Sequence, residues 1–221
     1  MAASALYLLP EVDNKRAVTT SPKPEGLRER RRKEVRRRIL KAARSLLSER
    51  DVESVRADEI AERAGVSRAT FFNYYPSKSD LLTDLGRTIV IELEDLSSTA
   101  LESYEDLSGA LGWVLAQGFT RIKRDENISR QLIDHLTRAT ASQDARAELM
   151  GRSHAAYRAI FERARENGEI DEAQDLDLMA ELLASVVNGL LANWFNDSSY
   201  PLQARLAETV TFFVRAARKD A

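Results

Sequence analysis

The sequence predicts an all-α protein, and three observations carry that expectation. From Leu27 onward apolar residues recur at spacings of three and four, the period of a helix face. Nowhere do apolar and polar residues alternate as a half-buried strand requires. Breakers and polar runs, among them Gly65, Pro76, ATASQD and NDSSYP, fall where each apolar period lapses, and so divide the chain into separate helices.

Residues 1–26 mix Thr, Ser, Pro and Lys around TTSPKPEG without a period, the composition of a flexible arm. A first helix, from Leu27 to about Ser48, carries Val35, Ile39, Ala42, Ala43, Leu46 and Leu47 on one face and arginines on the others. A short second helix fits Asp58 to Ala64 and ends at Gly65; a third fits Arg68 to Tyr74 or Tyr75 and ends at Pro76. Ser77 caps a fourth, with Asp80 in its first turn and Leu81, Leu82, Leu85, Ile89 and Leu93 along its face. Further helices are expected at about 105–123, 126–139, 143–166, 173–195 and 201–218. No period of about 20–50 residues recurs, which argues against a solenoid.

Composition narrows the functional classes. With 43% hydrophobic residues, 221 residues can bury a core in one domain or two. No window approaches 18 uninterrupted apolar residues, so no membrane span is expected. The apolar run Ala5 to Leu9 is short for a secretory signal and has no basic residues before it. The absence of cysteine removes disulfides, thiolate catalysis and Cys-type zinc sites, and fits a reducing cytoplasm. His135 and His154 lie on different predicted helices, so no metal is expected. With no Gly-rich phosphate loop, nucleophile elbow or HExxH helix, neither a cofactor nor an enzyme is expected. A helical enzyme using His135 with a carboxylate is the rival reading, and nothing suggests its substrate.

The net charge of −2 conceals an asymmetry. Residues 1–80 hold 18 Lys and Arg against 12 Asp and Glu; residues 81–221 hold 15 against 23. A basic segment before an acidic body is what binding a polyanion at one end requires, although solvated helix faces give the same count.

The stretch AGVSRATFFNYYPSK, Ala64 to Lys78, puts four aromatic rings on a helix too short to need them as core. Two short helices crossing steeply need a small residue at the contact, a corner tolerating positive φ, and apolar anchors. Ala61, Gly65, and Val66 with Phe71 meet these needs, an arrangement that reads as a helix-turn-helix. The second helix of such a unit can enter the roughly 12 Å wide major groove of B-DNA. Ser67, Arg68, Ala69, Phe72 and Asn73 are the base-reading candidates: Arg68 can bind a guanine edge, Asn73 an adenine, and Ala69 a thymine methyl. Arg36, Arg56, Thr70, Tyr74 and Lys78 are the candidates for phosphates. Phe71 and Tyr75 are expected inward, Phe72 and Tyr74 at the rim.

The run RRRILKAARSLLSERDVESVRADEIAERAGVSRATFFNYYPSKSDLL, Arg36 to Leu82, resembles the DNA-binding region of the TetR family of transcriptional regulators. The resemblance covers about 47 residues and implies an all-α homodimer whose two heads meet successive major grooves of a palindromic double-stranded operator. It also implies a small-molecule effector that lowers DNA affinity, and more often a repressor than an activator. Three positions depart from the family's usual pattern: Arg56 stands for a capping Thr, Phe72 for a Tyr, and Tyr74 for a His. These leave the operator sequence open. RERRRKEVRRR, Arg28 to Arg38, is more basic than the fold needs; it can follow phosphates or simply be a solvated face laced with Glu29 and Glu34 pairs.

The expected layout is therefore an arm at 1–26, a three-helix helix-turn-helix DNA-binding domain at 27–80, and an antiparallel helical domain at 81–221 for ligand binding and dimerisation. Trp113, Gln117, His135, Tyr157 and Asn188 are candidates for an effector pocket, because each sets a polar atom among apolar neighbours. Residues 173–195 are apolar over well over half the helix circumference, as a helix is that is either wholly internal or packed on its own domain and on a second copy, and the second is expected here. Leu183, Val187, Leu190 and Trp194, with Leu206, Val210 and Phe213 of the last helix, are the candidates for that interface. The fourth helix is the expected route from effector to reading head. A DNA binder of architectural type, blind to ligands, is a second rival.

Overall fold

The computed structural model describes residues 26–137 and 142–218, and among these the ordered secondary structure is helical throughout. The helices are α1 (Leu27–Glu49), α2 (Ala57–Arg63), α3 (Arg68–Tyr74), α4 (Lys78–Ser103), α5 (Leu107–Arg124), α6 (Glu126–Thr137), α7 (Gln143–Glu166), α8 (Leu176–Asn196) and α9 (Leu202–Ala217). All but residue 26 of the expected arm lies outside the described residues.

The starts follow from side-chain oxygens that accept orphan backbone amides. At α4, Ser77 Oγ accepts from the Asp80 amide at 3.1 Å and Asp80 Oδ2 accepts from the Ser77 amide at 3.0 Å, a reciprocal box. Asp106 caps α5, Ser142 caps α7, and Asp175, within the acidic run before α8, accepts from the Asp177 and Leu178 amides. At α2, Arg56 has no acceptor to offer. Only the other half of the box is made there, from the Arg56 amide to Glu59 Oε2 at 3.4 Å.

Two cores form. In the first, Ile39, Leu46 and Leu47 of α1 meet Ile60, Phe71, Leu81 and Leu85, together with Ile128 and Leu132 of α6. The second joins Leu96 and Ala100 of α4 to α5, α7, α8 and α9. The cores therefore do not divide at residue 80. Helix α4 has 26 residues and is about 39 Å long, longer than a three-helix head, so its second half packs elsewhere.

Helix α8 is long and apolar enough to cross a membrane by length and composition alone, a character that a core helix shares. Its apolar surface is divided: Leu176, Met179, Ala180, Leu183, Leu191 and Trp194 are buried within the chain, while Leu178, Leu182 and Val186 are exposed.

The corner between α2 and α3 is made by backbone. The Val66 amide donates to Ala61 O at 3.0 Å and the Gly65 amide to Glu62 O at 3.0 Å, the Schellman pattern, with Gly65 at φ +63. A Cβ on Gly65 would meet nothing within 4 Å, so the cost of one is the left-handed backbone alone. Gly65→Ala is expected to lower unfolding free energy by about 1–2 kcal/mol, read by urea denaturation.

Candidate nucleic-acid interface and effector cavity

The corner sets α3 with Phe71 inward, 1% exposed, and Phe72 outward, 37% exposed. Arg68, Ala69, Phe72 and Asn73 are all exposed along one side of α3. The Arg68 guanidinium lies 5.5 Å above the Phe72 ring and pairs with Asp58 Oδ2 at 3.0 Å. Ser67 is the α3 cap: its Oγ accepts from the Thr70 amide at 3.1 Å and shares a hydrogen bond with Thr70 Oγ1 at 2.8 Å. Both hydroxyls therefore hold the helix start first of all.

Two phosphate candidates have other work. Arg36 forms a fork with the carboxylate of Asp84 on α4, its Nε donating to Oδ2 at 2.8 Å. Lys78 donates from Nζ to Val52 O at 2.7 Å, tying the α1–α2 loop to the start of α4. Sequence spacing could not show this, because both partners lie far along the chain or on its backbone. Arg56 is exposed, with only Asp58 at 3.7 Å, and remains able to reach a phosphate. Tyr75 is buried, and its hydroxyl donates to Asp84 Oδ2 at 2.5 Å. Burial first, and the Asp84 carboxylate second, push that phenol above its ordinary value.

The basic run of α1 faces the same side. Arg28, Arg31, Arg32 and Arg38 line a cleft with Val66, Ser67, Thr70 and Tyr74, so α1 and α3 form its two walls. Arg38 also donates to Gly65 O at 3.2 Å, steadying the corner. Tyr74 at the rim is part of the same cleft.

In the body, a cavity of about 450 Å³ opens between α4, α5, α6, α7 and α8. Of the five pocket candidates, Tyr157 and Asn188 line it. Trp113 packs against Tyr104 at 6.1 Å between ring centroids, and Gln117 lies off the cavity wall. His135 is buried between α6 and α4, with Nε2 3.1 Å from Thr83 Oγ1, and does not line the cavity. Burial pushes the His135 imidazole below its usual value, against the Ser79 backbone and Asp134, which favours the neutral ring. Sequence reading missed Arg146 and His154 as lining residues; their place on the inner face of α7, in register with Tyr157, was the available signal. Among the described residues no cluster of three His, Cys, Asp or Glu could hold a metal ion.

The structure corrects the expected self-association residues. Leu183, Trp194, Leu206, Val210 and Phe213 are buried inside the chain, and Val187 and Leu190 are partly so. The inner α8 positions are core because α7 and α9 already cover them. The apolar surface left open is Leu178, Leu182 and Val186 of α8 with Phe212 of α9, 65% exposed.

Residues 39–85 match the profile of the family described as bacterial regulatory proteins, tetR family. The HTH-type transcriptional repressor LfrR of Mycolicibacterium smegmatis is 41% identical over 91 residues, 41% of this chain and 43% of that protein. The HTH-type transcriptional regulator EthR of Mycobacterium tuberculosis is 33% identical over 75 residues, 34% of this chain and 35% of that one. The chain thus spans less than half the length of the curated relatives it matches. Over the whole fold, the repressor FadR of Thermus thermophilus, solved with lauroyl-CoA, aligns with TM-score 0.64 and 25% identity, covering 84% of this chain and 97% of that one. SmeT, the repressor of a Stenotrophomonas maltophilia multidrug efflux pump, shares the fold with TM-score 0.66 and 20% identity over 85% of this chain and 94% of that one. Over residues 39–85 the chain is thus similar to the tetR family of bacterial regulatory proteins, and over most of its length it shares the fold of the two solved repressors.

Proposed function

We propose that this protein is a dimeric, sequence-specific DNA-binding transcriptional regulator, a repressor released from a palindromic operator by a small-molecule effector. The observation that carries this reading is the outward side of α3, where Arg68, Ala69, Phe72 and Asn73 are exposed beside a cleft of α1 arginines. A guanidinium, a methyl and a carboxamide at one leading edge match the donor, acceptor and methyl pattern of the major groove. The cleft supplies the phosphate contacts that set register. The relatives that match the head carry names of transcriptional repressors and regulators, and solved proteins of this fold hold acyl-CoA ligands, which supports the repressor and effector parts. The regulator works in the cytoplasm, where its operator is.

Two copies joined through Leu178, Leu182, Val186 and Phe212 would present two heads to half-sites about 34–36 Å apart, or a multiple of that. Coupling runs through α4 and α6. Helix α6 lines the cavity with Ile128, Ser129 and Leu132, and holds the head with Gln131, whose Nε2 donates to Leu47 O at 3.2 Å and whose Oε1 accepts from the Val52 amide at 2.5 Å. An effector that shifts α6 or tilts α4 changes the separation of the heads.

A random-oligonucleotide selection with the full chain is expected to enrich a two-fold symmetric site; enrichment of no sequence would leave the architectural rival. Replacing Arg68 by Ala should cost about 1–3 kcal/mol of discrimination at one base pair per half-site, measured by titration against single-substitution operators. Arg56→Ala is expected to weaken binding evenly across sequences and to lower the salt slope by about 1, whereas Lys78→Ala lowers thermal stability and leaves the slope unchanged. Leu182→Glu with Phe212→Glu should yield a folded monomer in sedimentation at micromolar concentration, with half-site binding only.

A further inference from the structure

The chemistry of the cavity wall narrows the effector further. Its charged lining groups are Arg44, Arg121 and Arg146 against Glu92. Two of the guanidinium groups are committed: Arg44 to Asp125 at 2.7 Å, and Arg121 to Glu92 O at 3.2 Å. Arg146, half-buried at the start of α7, has no hydrogen-bond or ion-pair partner among the described residues. Tyr157, on the same helix, is 5% exposed and lines the cavity, and its hydroxyl likewise has no partner among the described residues. Burial pushes the Tyr157 phenol up, so it stays a neutral donor.

The two groups are eleven residues apart, which places them on one side of α7 and about 16 Å apart along its axis. Between them α7 lines the cavity with Leu149, Met150, Ser153 and His154, and Leu93 and Leu96 of α4 and Val114 of α5 line it as well. A hydroxyl and a guanidinium that line a cavity with no partner among the described residues are groups that a ligand can engage. One free guanidinium matches one negative charge, and a planar fork suits a carboxylate.

Resting on the effector-responsive reading above, we propose that the cavity takes an elongated monocarboxylate amphiphile, its carboxylate on Arg146 and a neutral oxygen near its far end accepting from Tyr157. The apolar body of the ligand lies against the leucine and valine side chains that line the cavity. Cationic amphiphiles of the same length are rejected by the three arginines.

The test is calorimetric titration of the full-length protein with decanoate, 10-hydroxydecanoate, decanol and decyltrimethylammonium, beside an operator-shift assay with the same compounds. Decanoate is expected to bind about tenfold more tightly than decanol or the ammonium compound, and 10-hydroxydecanoate more tightly still. Arg146→Gln should bring decanoate down to the affinity of decanol while leaving decanol unchanged, which also shows that the variant is folded. Tyr157→Phe should abolish only the advantage of the terminal hydroxyl. Decanol or the ammonium compound binding as well as decanoate, or Arg146→Gln keeping the preference, would overturn the proposal. A cationic amphiphile that binds and releases DNA would overturn the carboxylate class and leave effector control standing. A carboxylate held by Arg146 that leaves operator affinity unchanged would uphold the class and sink effector control through this cavity.

Discussion

The carboxylate of Asp84 is the constraint on which the reading head turns. It sits in the second turn of α4, 8% exposed, where a charge persists only with partners. Those partners are the Arg36 fork from α1 and the Tyr75 hydroxyl from the end of α3. One carboxylate thus joins three helices, and its phenol partner is kept protonated by burial and by the charge it meets. Phe71 packs at 6.1 Å from Tyr75, so the inward half of α3 is held at the same place. With that half held, the outward half, Arg68 to Asn73, has no freedom to rotate away from its face. The orientation of the outward edge of α3 is a consequence of a charge buried behind it.

Helix α4 carries this constraint into the body, and α6 adds a second link. Leu136 of α6 lies against Gly86 of α4, where a Cβ would come within 2.8 Å of its Cδ1. A side chain at position 86 would require Leu136 to shift. Around it, His135 meets Thr83, Gln131 holds the end of α1, and Asn127 donates to Leu47 O at 3.1 Å. Ile128 and Leu132 belong to the head core and also line the cavity, so one turn of helix faces both compartments.

Much of this was legible in local pattern. The helix-turn-helix corner depends on a residue free at positive φ four positions after a small contact residue, and Ala61 with Gly65 states that in five letters. Helix starts at Ser77, Ser142 and Asp175 follow from short side chains whose oxygens reach amides two or three residues on. The outward side of α3 follows from helical period once Phe71 is assigned inward. The assignments that changed concern long, flexible side chains. Arg36 and Lys78 have the right charge for phosphate, yet each found an acceptor inside the fold. Nothing in their neighbours along the chain names Asp84 or the Val52 carbonyl.

By itself the sequence determined the helices, their ends and the outward edge of α3, because caps, breakers and helical period act over a few residues. Only the tertiary structure decided which apolar face of α8 is core and which stays open. An amphipathic pattern records that a face is apolar, not which neighbour covers it, and here α7 and α9 cover the inner one. The cavity was decided in the same way. A void is made by side chains from five helices failing to fill a shared space, and the partnerless Arg146 and Tyr157 acquire meaning only when that space exists.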